Sequence, residues 1–177
     1  MIDVLDERGN KTGEVLSRKD IHQLGKIHRA VHLYLFDKAN NLLLQRRSYN
    51  VDHYPGMLSI SVTGHVDAGE SSREAVEREF QEELGLKQNS AKIEFLFSLR
   101  QDAYLRQNYI DRQFNDIYVC WADFCMQDVA LEAEAISEVK LVSFSEFENM
   151  VTKQTGDLVP VYKEACIQLV DLLKSRF

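Results

Sequence analysis

The chain has 177 residues and a formal net charge of −7. That length suits one domain, residues 1–177, with enough buried surface to fold without disulfides or metal staples. The acidic charge argues against a nonspecific nucleic-acid binder or a membrane-surface binder. It does not exclude a small anionic substrate, because a bound metal and a few arginines can reverse the local field.

The ends and the cysteines of the sequence indicate a reducing compartment. Residues 1–6 contain acids where a secretory signal peptide has basic residues, and no apolar run is long enough to span a bilayer. Three cysteines, Cys120, Cys125 and Cys166, lack Cys-x-x-Cys spacing, so we expect three reduced thiols packed in the core. These features predict a cytoplasmic protein.

In the first third of the chain, strand patterns dominate. In chain order the residues predict a hairpin over 1–15, a brief helix or loop over 17–25 with Ser17 as N-cap, a strand over 27–36, a turn over 37–41, a strand over 42–47, a loop over 51–56 and a strand over 58–62.

The next segment has a clear helical pattern. Ser71 and Ser72 can cap a helix that runs to Leu84 and stops at Gly85, and its apolar stripe contains Val76, Phe80 and Leu84. The later elements are strands over 91–99, 114–123 and 139–144, a helix over 145–152, and a final helix over 161–173 with Ala165, Leu169, Leu172 and Leu173 inward. This order predicts an α/β fold with a mixed sheet and helices on both faces.

Three acids on the predicted helix stand out. Glu79, Glu82 and Glu83 have spacings i, i+3 and i+4, so they share one helix face. Like charges at these spacings destabilise a helix by about 0.2–0.5 kcal/mol per pair. A divalent cation would offset this repulsion, and carboxylate oxygens favour Mg²⁺ or Mn²⁺.

The residues around the acids follow a fixed spacing. Five residues separate Gly64 from Glu70, seven separate Glu70 from Arg78, and the chain continues Glu-Phe-Gln-Glu-Glu-Leu-Gly-Leu to residue 86. This segment, residues 64–86, resembles the Nudix box of the Nudix hydrolases, G-x5-E-x7-R-E-U-x-E-E-x-G-U with U apolar. The resemblance implies a Nudix-type α/β/α sandwich with a mixed β-sheet and magnesium-dependent hydrolysis of a diphosphate bond.

The resemblance also assigns roles within the box. It implies that Glu79, Glu82 and Glu83 bind the metal with the Gly64 carbonyl. Glu70 and Arg78 are expected to pair and to brace the loop against the helix. The signature leaves Glu74 and Glu77 free, so we expect both in solvent, with Glu74 pairing with Arg78 at i+4.

The general base and the cationic contacts stay open at this level. Glu79 or Glu82 is a candidate base within the box, and the candidates elsewhere are Asp128, Glu132, Glu134 and Glu138. Arg46 and Arg47 end a strand before the box and can bind the diphosphate, although alternation lets at most one point into the site. Arg29 is a further candidate.

Other stretches resemble isopentenyl diphosphate isomerase, which shares the Nudix fold. They include residues 28–30, 42–47, 54–58 and 63–65. His28 and His65 match two histidines that bind a second metal in isomerases, and His22 matches a third with its spacing off by one. His28 and His65 are candidate metal or substrate contacts, with structural hydrogen bonding as the alternative.

Two departures favour hydrolysis over isomerisation. Thr63 stands where an isomerase has a cysteine, and a hydroxyl is far less acidic than a thiol. The acidic box is also intact, as hydrolysis needs, whereas the boxes of isomerases are usually degenerate. The isomerase glutamate pair is not reproduced either: the matching strand reads Gln-Phe-Asn-Asp at residues 113–116, which leaves Asp116 as a candidate remnant. We therefore expect a hydrolase of the isomerase-like Nudix branch.

Three functions compete. The first is a hydrolase acting on a nucleoside diphosphate derivative or similar organic diphosphate, the second is an isomerase, and the third is a non-catalytic nucleotide-sensing module. The intact acids argue against the third. The expected partner is a small-molecule diphosphate, neither a nucleic acid polymer nor a membrane, and a homodimer is an alternative because dimers are common in the resembling family. Loops over residues 51–57 and 101–112 are expected to select the attached group.

Overall fold

The computed structural model describes residues 1–51, 53–86, 92–129, 131, 134–153 and 156–176. Its strands are β1 (Ile2–Leu5), β2 (Lys11–Leu16), β3 (Ile27–Phe36), β4 (Asn41–Arg47), β5 (Leu58–Ser59), β6 (Val62–His65), β7 (Lys92–Arg106), β8 (Tyr109–Trp121) and β9 (Ile136–Ser143). Its α-helices are α1 (Arg18–Gln23), α2 (Ser72–Leu84), α3 (Phe144–Lys153) and α4 (Lys163–Leu173), and short 3₁₀ helices span Met126–Asp128 and Pro160–Tyr162. Within these ranges, no helix is long and apolar enough to cross a membrane.

Strand β3 organises the sheet. It pairs in parallel with β8 along its whole length and antiparallel with β6, where Ala30 faces His65 and His32 faces Thr63. It meets β4 only at its far end, where Phe36 faces Leu42. The N-terminal hairpin of β1 and β2 joins at the opposite end. The sheet is therefore mixed, as predicted.

Helices cover both faces of this sheet. On one face, Val76, Phe80 and Leu84 of α2 pack in the cluster that contains Leu33 and Leu35 of β3. On the other face, α3 and α4 pack over a second cluster that contains the alternate side chains of β3. The predicted α/β/α sandwich is confirmed.

Helix α2 forms as its sequence predicts. Ser71 is the N-cap, and its hydroxyl accepts from the backbone N–H of Glu74 at 3.2 Å. The Glu74 carboxylate accepts from the backbone N–H of Ser71 in return, which completes a capping box. Gly85 ends the helix with φ +63°, a conformation that favours glycine. The expected pairing of Glu74 with Arg78 is wrong, because this carboxylate caps the helix instead.

The strand predicted over residues 58–62 is broken into β5 and β6. β3 and β4 pair beside their connecting turn, at Phe36 and Leu42, and diverge from there, so that Ser61 fills the gap between Leu35 and Leu43. Its Oγ accepts from Leu35 N at 2.8 Å and donates to Leu43 O at 2.6 Å. The chain therefore crosses from β4, which pairs with β5, to β3, which pairs with β6.

The loop predicted over residues 101–112 is wrong. These residues belong to the long β7–β8 hairpin, which turns at Asn108 with φ +64°. Arg112 Nε donates to Asp102 Oδ1 across the two strands at 3.2 Å. Exposed charged pairs of this kind hold two strands together without the apolar alternation that would have predicted them.

Smaller differences concern burial. Leu172 is 51% exposed rather than inward, and Cys166 and Val170 are buried on α4 in its place. Cys120 and Cys166 are buried free thiols as expected, whereas Cys125 is exposed. Ala91, where a strand was predicted to begin, lies outside the described residues.

Candidate functional site

The acidic residues of α2 meet β6 at Gly64. A Cβ atom at Gly64 would lie 2.1 Å from Glu79 Cδ, so only glycine leaves room for this carboxylate. Glu82 and Glu83 follow one turn later on α2, and the Glu82 side chain is 58% exposed. The acidic face therefore extends from Glu79, which packs against Gly64 on the sheet, to Glu82, which is exposed to solvent.

Arg78 lies at the centre of these acids. Its Nε and Nη2 donate to the two oxygens of Glu70 at 3.0 Å each, a bidentate pair that ties the loop to the helix. Its Nη1 donates to Glu79 Oε1 at 2.7 Å and to Glu82 Oε2 at 3.1 Å. Nη2 also donates to the His65 carbonyl at 3.0 Å. These contacts tie the loop that carries Glu70, and the end of β6, to α2.

The same geometry tests whether a divalent cation fits. Oxygens of Glu79 and Glu82 both contact Nη1 of Arg78, so the two carboxylates lie close enough together to share one cation. The ligand atoms that Glu79, Glu82 and Glu83 offer are hard oxygens, which suit Mg²⁺ or Mn²⁺. The residues present fit such an ion.

Burial gives Glu79 a special character among the acids. Desolvation raises its pKa above the ordinary value, and the hydrogen bond from Arg78 only partly opposes this. For Glu70 the order is reversed, because the Arg78 hydrogen bond dominates and lowers the pKa. Neighbouring carboxylates thus differ in proton affinity through their surroundings alone.

Glu83 has a partner that sequence reasoning missed. Gln45 of β4 is buried, and its Nε2 donates to Glu83 Oε2 at 2.7 Å and to Ser61 O at 2.5 Å. Glu83 is thereby oriented by the strand beneath it. The polar residue Gln45 within the apolar run of β4 was the only sequence signal.

Glu77, left free by the signature, pairs with Arg73 along the helix. This pair on α2 is separate from the contacts that Arg78 makes with Glu70, Glu79 and Glu82. It therefore offers a matched control for substitutions on the acidic face.

The arginines at the end of β4 have different surroundings. Arg46 Nε donates to Glu138 at 2.7 Å and its Nη1 donates to Gly56 O at 2.7 Å and to Asp157. Arg47 Nε donates to His53 O at 2.9 Å. Arg46 is therefore held by two carboxylates and a carbonyl, whereas Arg47 contacts the following loop.

Arg29 is also paired. Its Nη1 donates to Asp116 Oδ1 at 2.7 Å, and both residues line a cleft beside the N-terminus of α2. Asp116 therefore faces the α2 side of the sheet. It is not a remnant of an acid beside the histidines, and that interpretation is wrong.

The candidate bases outside the box are scattered. Glu138 pairs with Arg46, Asp128 belongs to an exposed 3₁₀ helix, and Glu134 is exposed in a turn. Glu132 lies outside the described residues.

A histidine cluster forms on the opposite face of the sheet from α2. It consists of His22, His28 and His65, whose ring nitrogens lie within 4.8 Å of one another. His22 Nε2 and His65 Nε2 are 3.1 Å apart, so one donates to the other. His28 Nδ1 is 3.3 Å from Lys26 O, and because a carbonyl only accepts, Nδ1 carries the proton and Nε2 presents a lone pair to the cluster. Three histidines from α1, β3 and β6 thus meet although the sequence matched only two cleanly.

An aspartate that sequence reasoning missed completes this cluster. Asp111 Oδ1 lies 3.6 Å from His22 Nδ1 and 3.8 Å from His28 Nε2. Burial raises the pKa of Asp111 to about 6 and lowers the pKa values of His22 and His28 to about 4. Neutral imidazoles beside one carboxylate form a donor set that suits a transition metal. Asp111 was hidden because its segment was predicted to be a loop.

Thr63 lies beside the histidines on β6, and the hydroxyl of Tyr162 faces the side chains of Thr63 and Ser59. Burial raises the pKa of Tyr162, and the positive charge of Arg47 partly opposes that shift.

Comparisons with known proteins agree with this architecture. The NUDIX domain model matches residues 26–164. Nudix hydrolase 3 of Arabidopsis thaliana is 36% identical over 162 residues, which cover 89% of this chain but only 21% of the plant protein. The isopentenyl-diphosphate Delta-isomerase of Serratia proteamaculans is 34% identical over 137 residues, covering 77% of this chain and 74% of the isomerase. A crystal structure from Deinococcus radiodurans superposes with a TM-score of 0.73 at 21% identity, covering 94% of this chain and 97% of that one.

Proposed function

Because the chain belongs to the Nudix family of hydrolases, we propose that it hydrolyses a diphosphate bond in a nucleoside diphosphate derivative or a similar organic diphosphate, with Mg²⁺ or Mn²⁺ as its metal. The metal ligands in this proposal are Glu79, Glu82, Glu83 and the Gly64 carbonyl. Glu70 and Arg78 have a structural role. The unit that carries the activity is the single domain of residues 1–177.

The observation that carries the proposal is the convergence of the acids. Glu79 Oε1 and Glu82 Oε2 both approach one cationic nitrogen, at 2.7 and 3.1 Å. Glu83 is held in a fixed orientation by Gln45. Acids arranged this way would hold a divalent ion, which would neutralise phosphate charge and lower the pKa of a bound water.

The residues themselves have distinct tasks in this reaction. Glu79 is the better of the two candidate bases, because burial raises its pKa and a stronger base accepts the proton of the attacking water more readily. Glu82 is the second candidate, and its exposure leaves it room to move towards the substrate. Arg78 reduces the repulsion between the two carboxylates, because its Nη1 donates to both.

Cationic and polar contacts to the substrate are assigned to Arg47, Arg46 and His65. Arg47 ranks first because its Nε donates to a single backbone carbonyl, whereas Arg46 is held by two carboxylates. Arg46 contacts substrate only after exchanging one of its two carboxylates for a phosphate. His65 lies next to Gly64 and is neutral, because burial lowers its pKa.

The experiment that tests this function is an assay of a diphosphate panel with and without Mg²⁺. Release of monophosphate or phosphate is measured for the unaltered protein and for Glu82→Gln, Glu83→Gln and the control Glu77→Gln. We expect metal-dependent release. Each of the first two substitutions should lower the rate by about tenfold or more, the scale of losing a charge-stabilising group. The control should keep its activity.

Two results would contradict the proposal. Unchanged activity in both Glu82→Gln and Glu83→Gln would show that the acidic face has no part in catalysis. Release of phosphate or monophosphate without a divalent ion would show that the reaction needs no metal.

Isomerisation is the second candidate, and the histidine cluster favours it. Three histidines and Asp111 meet on the side of the sheet where Thr63 stands. Thr63 weighs against it, because its hydroxyl is too weak an acid for protonation of a carbon. Double-bond migration in isopentenyl diphosphate, followed by NMR, would favour this candidate over hydrolysis. A non-catalytic sensor ranks third and would bind diphosphates without converting them.

A further inference from the structure

Strand β1 contacts the loop that joins β6 to α2. The Met1 carbonyl accepts from the backbone N–H of Ala68 at 2.8 Å. Asp3 Oδ2 accepts from the backbone N–H of Gly69 at 3.0 Å. β1 precedes residues 26–164, the segment that the NUDIX domain model matches. The loop that leads into the acidic helix is therefore held by a strand from outside the matched segment.

Residues 67–70 of this loop form a turn in which every backbone N–H has an acceptor. Two acceptors lie within the turn, because Glu70 N donates to Asp67 O at 3.0 Å and Asp67 N donates to Glu70 Oε2 at 3.0 Å. The other two acceptors are the β1 oxygens that Ala68 and Gly69 contact. Since backbone N–H groups are obligatory donors, β1 supplies half of the acceptors that the turn needs.

Gly69 depends on its contact with Asp3 because packing does not hold it. Its φ is +84°, and a glycine has more alternative conformations than any other residue. Apart from its chain neighbours, no described residue lies within 4 Å of a Cβ atom placed at Gly69. Asp3 is itself anchored, since Lys11 Nζ lies 2.7 Å from the oxygen that Gly69 contacts. The hydrogen bonds from Lys11 and Gly69 lower the pKa of Asp3, so the acceptor is an ionised carboxylate.

The turn determines where the Glu70 carboxylate lies. Both Glu70 oxygens accept from Arg78, and Oε2 also accepts from Asp67 N within the turn. Arg78 Nη1 donates in addition to Glu79 and Glu82, at 2.7 and 3.1 Å. Consecutive contacts therefore lead from β1 through the turn and the guanidinium to two of the proposed metal ligands.

We propose that Asp3 is a positioning residue for the metal site, which acts through the turn to hold Glu70 on Arg78. An Arg78 released from Glu70 can form a bidentate pair with Glu79 or Glu82 instead, and it then competes with the divalent ion for that carboxylate. The role rests on the metal site of the hydrolase function proposed above. Asp3 itself touches neither metal nor substrate in this scheme.

The test measures the affinity of the protein for Mg²⁺ by calorimetry without substrate. Mg²⁺ is chosen because this hard ion discriminates against the nitrogen ligands of the histidine cluster. Asp3→Ala removes the acceptor of Gly69, whereas Asp3→Asn keeps an oxygen acceptor of the same reach. Lys11→Met is the matched control, because it removes the other partner of Asp3 and leaves the contact with Gly69. Urea unfolding without metal checks that each variant folds.

We expect Asp3→Ala to weaken Mg²⁺ binding by about fivefold, less than the loss of about 10–100-fold for groups that bond directly to a metal ligand. Asp3→Asn and Lys11→Met should keep the affinity of the unaltered protein. In the Glu70→Ala background, Asp3→Ala should cause no further loss, because changes that act through one contact are not additive. If Asp3→Ala does not fold, Asp3→Ser replaces it, since its shorter side chain also withdraws the acceptor from Gly69.

Three results would overturn the assignment of Asp3. They are an unchanged Mg²⁺ affinity in Asp3→Ala, an equal loss in Asp3→Asn or Lys11→Met, and an undiminished effect of Asp3→Ala in the Glu70→Ala background. Metal-dependent hydrolysis together with an unchanged Mg²⁺ affinity in Asp3→Ala would refute the inference and keep the proposed function. Weaker Mg²⁺ binding in Asp3→Ala, with no hydrolysis of any compound of the diphosphate panel by the unaltered protein, would do the reverse.

Discussion

The acidic face of α2 and the histidine cluster manage buried polar groups in opposite ways. On the acidic face, charges are kept because Arg78 donates to Glu70, Glu79 and Glu82 and because the face opens to solvent. In the histidine cluster, burial suppresses charge, and it lowers the pKa of His22 and His28 to about 4. One region is built from compensated ions and the other from neutral rings.

The difference has a chemical consequence. A preformed set of charged oxygens suits a hard divalent ion, whereas neutral nitrogens beside one carboxylate suit a softer metal or a hydrogen-bonding ligand. The two regions face opposite sides of the sheet, and β6 contributes Gly64 to one and His65 to the other. Substitutions on either side of β6 therefore test whether the regions act independently.

The largest effect is expected from Gly64→Ala. The new Cβ would collide only with the Glu79 side chain among its three nearest contacts, so the carboxylate must move while the backbone can stay. Misplacing a catalytic group by about 1 Å can cost about 100-fold in rate. We expect a loss of that order in kcat/KM, with a urea unfolding midpoint close to that of the unaltered protein. Retained activity would show that catalysis does not depend on the packing of Glu79 against Gly64.

Arg78→Met should come next, with its effect on stability. Without the guanidinium, Glu70 and Glu79 lose their counter-charge while they remain largely buried. Breaking a buried ion pair costs about 3–5 kcal/mol, and the partial exposure of Arg78 reduces this to about 2–3 kcal/mol. Urea unfolding measures the loss, and Mg²⁺ should restore part of it because binding stabilises the folded state. A neutral result would mean that the brace is dispensable.

The acidic face was predictable because its information is local. The i, i+3 and i+4 spacing of Glu79, Glu82 and Glu83 determines one helix face once Ser71 and Gly85 define the helix ends. The spacing back to Gly64 and Glu70 then identifies the loop. The same holds for β3, whose predicted bounds, residues 27–36, match the structure.

The histidine cluster depended on tertiary structure that no local pattern carries. Asp111 reaches His22 only because β7 and β8 extend into a hairpin, and charged exposed residues such as Asp102 and Arg112 hid those strands. Gln45 beneath Glu83 was missed for a similar reason, since the divergence of β3 from β4 creates its place. Long-range contacts between elements, rather than the elements themselves, were what the sequence left open.

Asp111→Asn should have the opposite sign to Arg78→Met. Burial raises the pKa of Asp111 from 3.8 to about 6, so keeping it ionised at neutral pH costs folding free energy. The amide removes this cost and still offers an oxygen acceptor to Gln101, whose Nε2 lies 3.4 Å from Asp111 Oδ2. We expect the variant to be as stable as the unaltered protein or more stable, by up to about 2 kcal/mol at pH 7.5. The gain should fade as the pH falls from about 6 towards 4, where the native carboxyl is protonated. Destabilisation at pH 7.5 would show that the carboxylate is compensated after all.

The smallest effect concerns His32, which burial holds at a pKa of about 3 in the folded protein against 6.5 for the ordinary group. The unfolded chain therefore binds a proton below pH 6.5 that the folded protein does not, so stability falls as the pH is lowered. Between pH 7 and 5.5 this one residue should account for about 1 kcal/mol of the loss. His32→Leu should lose that much less over the same range, as measured by urea unfolding, and should show no such difference from the unaltered protein between pH 8 and 7. An identical pH dependence in both proteins would mean that His32 is charged in the folded state.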